Sequence, residues 1–131
     1  MTTALRRRRE RHGWDAERWV AWWLRLRGYR VLARRWQSPV GEIDLIVARG
    51  RVIVFVEVKR RPTLEAALAS LQTRQLARIA RAAEAYLQRR RDRDLLQPRI
   101  DLVATAPWCW PRHLQGLEPP ALRATRSSAG P

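Results

Sequence analysis

Charged residues interrupt the most strongly β-forming part of this 131-residue sequence. The stretch GEIDLIVARGRVIVFVEVKRR, residues 41–61, carries Glu42 and Asp44 in one apolar run and Glu57 and Lys59 in the next. Alternate residues of a strand share a face, so each charged pair should project to one side of its strand. Charges within a sheet must be paired or perform chemistry, since burying an unpaired charge is costly.

The ARGR segment between the two runs predicts a hairpin that brings Asp44 close to Glu57. Adjacent carboxylates repel each other, so they must protonate, pair or bind a cation. Together with carbonyl and water oxygens they would suit Mg²⁺ or Mn²⁺ and leave room for a phosphate oxygen. The alternative is a salt-bridged surface of Asp44, Glu57 and Lys59 on a half-exposed sheet. The apolar run VIVFV instead favours a central strand covered on both faces.

Lys59 is the only lysine among the 27 basic residues, and the others are all arginine. An ammonium is a compact charge on a group that can lose its proton, whereas a guanidinium stays charged. The position of this single lysine, two residues after Glu57, therefore indicates a site that requires an amine.

The formal charge of +15 indicates a polyanionic partner, and DNA is the leading candidate. An RNA-associated basic protein and a protein on an anionic membrane surface are the alternatives. We expect no membrane span, because the apolar stretch WVAWWLRLRGYRVL is short and broken by arginines. The single cysteine, Cys109, excludes an internal disulfide and suits a reducing cytoplasm. Lying between two tryptophans, Cys109 is expected to be a small buried residue.

The first predicted helix spans residues 15–27, with Asp15 as its N-cap and Gly28 as the residue that ends it. Apolar residues three, four and seven positions after Glu17 place this acid on or beside the inward face of the helix. Glu17 is therefore a candidate fourth member of the site. The alternative is a carboxylate that interacts with the helix dipole near its N-terminus.

The pattern predicts one α/β domain over residues 13–117, with a basic arm at 1–12 and a flexible tail at 118–131. We expect a central mixed sheet flanked by helices, in the order α-β-β-β-α-β with a short final edge strand. The elements after the first helix are predicted as strands at 29–36, 42–48 and 51–60, a helix at 64–91 with a break near 69–73, a strand at 99–106, and an edge strand within 108–117.

Five segments occur in the order and near the spacing of a known family: GWDAERWVAWWLRLRGYRVLARRW, GEIDLIV, VFVEVKRR, ARAAEAYL and RIDLV. Over roughly residues 13–105 the chain resembles the YraN-like family, bacterial proteins with a restriction-endonuclease-like fold. It is also similar to the archaeal Holliday junction resolvases. Asp44 and the Glu57-x-Lys59 triplet resemble the PD-(D/E)xK nuclease pattern, with Ile43 in place of the proline.

The resemblance implies a metal-dependent nuclease that hydrolyses DNA phosphodiester bonds, on branched or structured DNA in repair or recombination. It implies Mg²⁺ or Mn²⁺ as the cofactor and Glu17, Asp44, Glu57 and Lys59 as the catalytic residues. The metal ligands implied are Asp44, Glu57, the Val58 carbonyl and Glu17. The chain departs from the family where Gln75 replaces a lysine usual near the start of the second long helix. A catalytically silent nucleic-acid-binding protein on the same scaffold is the alternative function.

Most candidate contacts to nucleic acid are arginines in clusters, although such clusters are usually solvated faces. They are Arg6, Arg7, Arg8, Arg9, Arg35, Trp36, Arg60, Arg61 and Gln75. Trp19, Trp22 and Trp23 on the first helix are expected to pack in the core or against other elements, and stacking on nucleic-acid bases is the alternative. An aromatic surface on that helix could equally form a homodimer.

Overall fold

The computed structural model describes residues 15–119. The predicted basic arm, with the arginines at 6–9, and residues 120–131 of the predicted tail lie outside the described residues. A 3₁₀ turn at Arg93–Leu95 precedes the fourth strand. The other elements are helix α1 (Ala16–Leu26), strands β1 (Arg30–Ser38), β2 (Gly41–Arg49) and β3 (Val52–Arg60), helices α2 (Leu64–Ala69) and α3 (Thr73–Gln88), and strands β4 (Gln97–Thr105) and β5 (Arg112–Leu114).

The five strands form one mixed sheet in the order β1-β2-β3-β4-β5. Neighbouring strands are antiparallel except for β3 and β4, which are parallel. β3 is central, as its apolar run predicted: Val54 and Val56 pack in the cluster that contains α1, and Ile53 and Phe55 pack in the cluster that contains α3. The predicted α/β class, with helices on a central mixed sheet, is confirmed.

Helix α1 begins where its sequence predicts. The Asp15 side chain accepts a hydrogen bond from the Arg18 N–H at 3.0 Å and caps the first turn. Gly28 follows the helix with φ of +91°, a left-handed conformation that costs glycine little. The predicted inward face is confirmed, and its buried residues are Glu17, Val20, Ala21 and Leu24.

The predicted helix at 64–91 is two helices, because residues 70–72 interrupt it. The Ser70 hydroxyl donates to the Ala67 carbonyl at 2.7 Å, which satisfies an acceptor at the end of α2. The Gln75 side-chain oxygen accepts the Gln72 N–H at 3.0 Å at the start of α3. The expected break is confirmed, whereas α3 ends at Gln88, three residues earlier than predicted.

The prediction that Cys109 is buried is wrong, because Cys109 is exposed. β4 ends at Thr105, and the chain then turns, with the Cys109 N–H donating to the Ala106 carbonyl at 3.3 Å. This turn places Cys109 and the flanking Trp108 and Trp110 at the surface.

The expected packing role of the three helix tryptophans holds for two of them. Trp19 and Trp23 pack, partly buried, against the core cluster that contains α1. Trp22 is 47% exposed, because the core face of α1 is occupied by residues on the opposite side of the helix.

A buried ion pair ties the edge of the sheet together. Asp101 on β4 is fully buried and accepts two hydrogen bonds from Arg99, at 2.9 and 2.8 Å. His113 Nε2 lies 2.6 Å from the same carboxylate, and the Gly116 N–H donates to it at 3.0 Å. Arg99 also donates to the Tyr29 hydroxyl at 2.9 Å, so the network joins β4, β5 and the segment between α1 and β1. Arg99 lies two residues before Asp101 on the same strand face, whereas His113 comes from the neighbouring strand β5.

Replacing Asp101 by asparagine should destabilise the fold. Burial alone would raise the pKa of Asp101, but hydrogen bonds from His113, Arg99 and Gly116 outweigh it and lower this pKa. We expect Asp101→Asn to reduce the free energy of unfolding at pH 7 by about 3 kcal/mol, measured by urea denaturation. Because folding lowers the pKa, the stabilisation is complete above about pH 4 and is lost as pH falls through the folded value.

The matched control is Asp94→Asn, because the Asp94 side chain is 95% exposed. This variant should stay within about 0.5 kcal/mol of the wild type. Equal stabilities of the Asp101 and Asp94 variants would contradict the structural role of the network.

Candidate active site

Asp44 and Glu57 lie side by side where β2 and β3 stop pairing. The last paired residues are Leu45 and Val56, so Asp44 and Glu57 are the next opposed positions. Beyond that point the Asp44 carboxylate accepts the Val58 N–H at 2.8 Å. The Asp44 side chain thus accepts the hydrogen bond that a backbone carbonyl of β2 would accept if the strands continued to pair. The predicted approach of Asp44 to Glu57 across the hairpin is confirmed.

The environment of Asp44 disfavours its negative charge. Burial of the carboxylate and repulsion by Glu57 raise the pKa of Asp44 well above its ordinary value, and Glu17 adds to the repulsion. The hydrogen bond from the Val58 N–H opposes these effects only in part. Three carboxylates from α1, β2 and β3 are therefore coupled electrostatically.

Lys59 is buried beside this acidic pair. Its Nζ lies 3.2 Å from Glu57 Oε1, and the residue is only 3% exposed. The Thr105 hydroxyl donates to the Lys59 carbonyl at 3.5 Å, which links the end of β3 to β4. The predicted placement of Glu57 and Lys59 on one face is confirmed, and the ion pair fixes the ammonium at the site.

Glu17 joins the site from helix α1 and is held by an arginine of β1. Arg35 donates to Glu17 at 3.2 Å and to Asp15 at 3.4 Å. Arg35 has φ of +51°, which is uncommon for a residue with a side chain. Burial raises the pKa of Glu17, although Arg35 opposes the shift. The structure thus brings Asp44, Glu57 and Lys59 together, and Glu17 lies near enough to act on Asp44 electrostatically. The catalytic roles of these residues stay predictions.

The donor set suits a hard divalent cation bound by few protein ligands. A cation between Asp44 and Glu57 would offset both the burial and the repulsion that raise the pKa of Asp44. Within residues 15–119, no three side chains of His, Cys, Asp or Glu are grouped to hold a metal ion. Water and backbone oxygens would therefore complete the coordination, as is usual for Mg²⁺. The Val58 carbonyl stays a predicted ligand, whereas Glu17 is not grouped with Asp44 and Glu57 as a third carboxylate ligand.

The predicted nucleic-acid contacts fall into different surroundings. Arg60 and Arg61, directly after Lys59, are exposed. Trp36 packs edge-on against Tyr86 in the cluster that contains α3, with the two ring centroids 5.3 Å apart. Gln75 caps the start of α3. Their contacts to nucleic acid stay predictions.

Sequence reasoning missed an aromatic cleft beside the site. The cleft is lined by Trp19, Arg60, Trp108 and Trp110, among others. Prolines on both sides of the segment WCW, at Pro107 and Pro111, mark it as a loop and are the signal that could have indicated exposed tryptophans.

The mixed sheet with helices on both faces, and with the acidic pair at the separating strand ends, defines a restriction-endonuclease-like α/β protein. The model of the family described as "Uncharacterised protein family UPF0102" matches residues 16–105. The chain belongs to this family, which is the YraN-like family. No helix within residues 15–119 is long and apolar enough to cross a membrane.

Relatives from two bacterial genera agree with this assignment. A UPF0102 protein of Bartonella henselae is 46% identical over 102 residues, which cover 78% of this chain and 81% of that protein. A UPF0102 protein of Bartonella bacilliformis is 43% identical over 110 residues, covering 84% of this chain and 90% of that protein. A UPF0102 protein of Brucella canis is 45% identical over 102 residues, covering 78% of this chain and 81% of that protein.

Replacing Asp44 by asparagine should stabilise the metal-free protein at neutral pH. The folded state raises the pKa of Asp44. The contribution of the Asp44 carboxyl to the free energy of unfolding is therefore favourable below about pH 4, and it is lost as pH rises through the pKa of Asp44 in the folded protein. We expect Asp44→Asn to gain about 0.5–2 kcal/mol at pH 7 in EDTA by urea denaturation. The gain should vanish below about pH 4, where the wild-type carboxyl is protonated in both states.

The exposed carboxylate Asp94 again provides the control, because Asp94→Asn should show no gain at either pH. An Asp44→Asn variant less stable than the wild type at pH 7 would contradict the proposed repulsion.

Proposed function

We propose that this protein is a divalent-metal-dependent nuclease that hydrolyses DNA phosphodiester bonds. The observation that supports this function is the pair Asp44 and Glu57, held together although burial and repulsion raise the pKa of Asp44. A structural role would not require two carboxylates at the same place. Branched or structured DNA, in repair or recombination, is the substrate we expect from the resemblance.

Asp44 and Glu57 would hold Mg²⁺ or Mn²⁺, with the Val58 carbonyl as an additional ligand. When bound, the ion polarises a phosphate oxygen and lowers the pKa of a coordinated water. Glu17 would adjust the charge of the site from α1, since it already acts on Asp44 electrostatically. Its ion pair with Arg35 fixes its position at the side of the site.

Lys59 would place an ammonium next to the reacting phosphate. Glu57 already holds Nζ at 3.2 Å, so the lysine is oriented before the substrate binds. A preoriented cation stabilises developing negative charge without reorganisation, and typical contributions are about 10²–10³ in rate. Lys59 would otherwise orient or deprotonate the attacking water.

A catalytically silent nucleic-acid-binding protein is the second candidate. The observation that favours it is that Glu17 and Glu57 already have ion-pair partners in Arg35 and Lys59. The charge of +15 supports nucleic-acid binding under both candidates.

Cleavage should require the acidic pair and the lysine. Labelled linear, nicked, flapped and four-way DNA would be incubated with the protein and Mg²⁺ or Mn²⁺, and products resolved by gel. We expect Asp44→Asn, Glu57→Gln and Lys59→Met each to lower the cleavage rate by about 100-fold or more. EDTA should abolish cleavage by the wild type.

The Asp94→Asn variant should cleave at the wild-type rate, because Asp94 is exposed on the turn before β4. Cleavage that survives the substitutions at Asp44 and Lys59 would contradict the assigned site. Binding without cleavage of any of the four DNAs would favour the silent scaffold.

The salt dependence of DNA binding should report the phosphate contacts of Arg60 and Arg61. Each alanine substitution is expected to reduce the slope of log K against log salt by about 1. Fluorescence anisotropy in EDTA separates this binding from cleavage. Arg93→Ala is the control, because Arg93 precedes β4 at the other end of the sheet and should not change the slope. An unchanged slope in both test variants would contradict these contacts.

A further inference from the structure

The loop between β4 and β5 presents tryptophan rings to solvent. Trp108 is fully exposed, and Trp110 is 70% exposed. Trp108 also has φ of +62°, a backbone conformation that is rare for a bulky residue and carries strain. Exposing two large rings sacrifices the stabilisation that their burial would supply. Such a surface is typical of a binding site.

Trp110 continues a stack of rings that begins on helix α1. The Trp19 and Trp110 centroids are 5.8 Å apart with planes at 28°, and the Trp19 and Trp22 centroids are 5.2 Å apart with planes at 19°. The open cleft lined by Trp19, Trp108 and Trp110 has a volume of about 440 Å³. This size lies within the usual range of about 300–1,000 Å³ for small-ligand clefts.

The cleft lies at the same end of the sheet as the candidate active site. Arg60 directly follows Lys59 at the end of β3, although the side chains of Lys59 and Arg60 leave the strand on opposite faces. Thr105, which also lines the cleft, donates to the Lys59 carbonyl. A DNA strand that crosses the end of β3 would therefore pass both Lys59 and the cleft.

The chemistry of the cleft fits a nucleobase better than a second copy of this chain. Arg60 offers a charge for phosphate, and the tryptophan rings offer flat surfaces for a base. A second copy would bring its own net charge of +15 to a chain that already carries +15, and this repulsion opposes self-association. Bases inside a duplex are stacked and inaccessible, so only an unpaired base could enter.

We propose that the cleft formed by Trp19, Trp108, Trp110 and Arg60 binds an unpaired nucleobase beside the scissile phosphate. The substrate class is then DNA with unpaired bases, such as bubbles, gaps or flaps. This assignment rests on the proposed nuclease function for the position of the phosphate. Stacking tolerates every base, so we expect little dependence on base identity.

The test compares two DNAs of equal length and phosphate number. One is fully paired, and the other has a central mismatched bubble that carries 2-aminopurine. Binding is measured in EDTA by anisotropy and by quenching of the 2-aminopurine fluorescence. We expect the wild type to bind the bubble more tightly and to quench its fluorescence. Trp108→Ala should weaken bubble binding by about 5- to 140-fold and leave binding of the paired DNA unchanged.

Two further variants separate stacking from other effects. Trp108→Phe keeps an aromatic ring and should retain most of the preference for the bubble. Leu26→Ala removes an exposed apolar side chain from the other end of α1 and should behave as the wild type. Equal wild-type affinities for the two DNAs, or a preference that survives Trp108→Ala, would overturn the proposal. A wild-type dimer by light scattering that Trp108→Ala converts to a monomer would also overturn it, because a second copy would occupy the cleft.

Cleavage is scored separately with Mg²⁺. A Trp108-dependent preference for the bubble without any cleavage supports the cleft assignment and contradicts the nuclease. Cleavage by the wild type without a preference for the bubble supports the nuclease and contradicts the cleft assignment.

Discussion

The repulsion between Asp44 and Glu57 is the constraint on which the site depends. The two strands carry these carboxylates to opposed positions as their backbone pairing ends, and burial strengthens the repulsion. A protein without a use for this charge could replace either acid by a neutral residue of similar size. Retaining both carboxylates next to a buried ammonium is understandable if a cation and a phosphate occupy the same place.

The rest of the fold keeps this unfavourable cluster in position. β3 is covered on both faces, with Val54 and Val56 toward α1 and Phe55 toward α3, so the strand that carries Glu57 and Lys59 cannot shift easily. At the far edge, the Asp101 network ties β4 and β5 together. Proteins commonly accept a destabilised active site when the surrounding core is stable enough to hold it.

Local features of the sequence were sufficient to predict most helices and strands, and also how Asp44, Glu57 and Lys59 come together in the site. The cap at Asp15, the inward face of α1 and the shared face of Glu57 and Lys59 follow from helical and strand periodicity. The short hairpin connection likewise predicted that Asp44 would approach Glu57. These relations involve residues in one element or in neighbouring strands.

Relations between distant parts of the chain were not predictable in this way. The pairing of Arg35 with Glu17 depends on how α1 packs on β1, and the contact of His113 with Asp101 depends on the register of the edge strand. The turn that exposes Trp108 requires a left-handed backbone at a tryptophan, which no local propensity favours.

The most direct measurement of the central claim is anomalous diffraction from crystals of the Mn²⁺-loaded protein. We expect one strong anomalous peak in contact with the carboxylates of Asp44 and Glu57, close to Lys59. No peak between these two carboxylates at saturating Mn²⁺, or Mn²⁺ bound only elsewhere, would contradict the metal-dependent site.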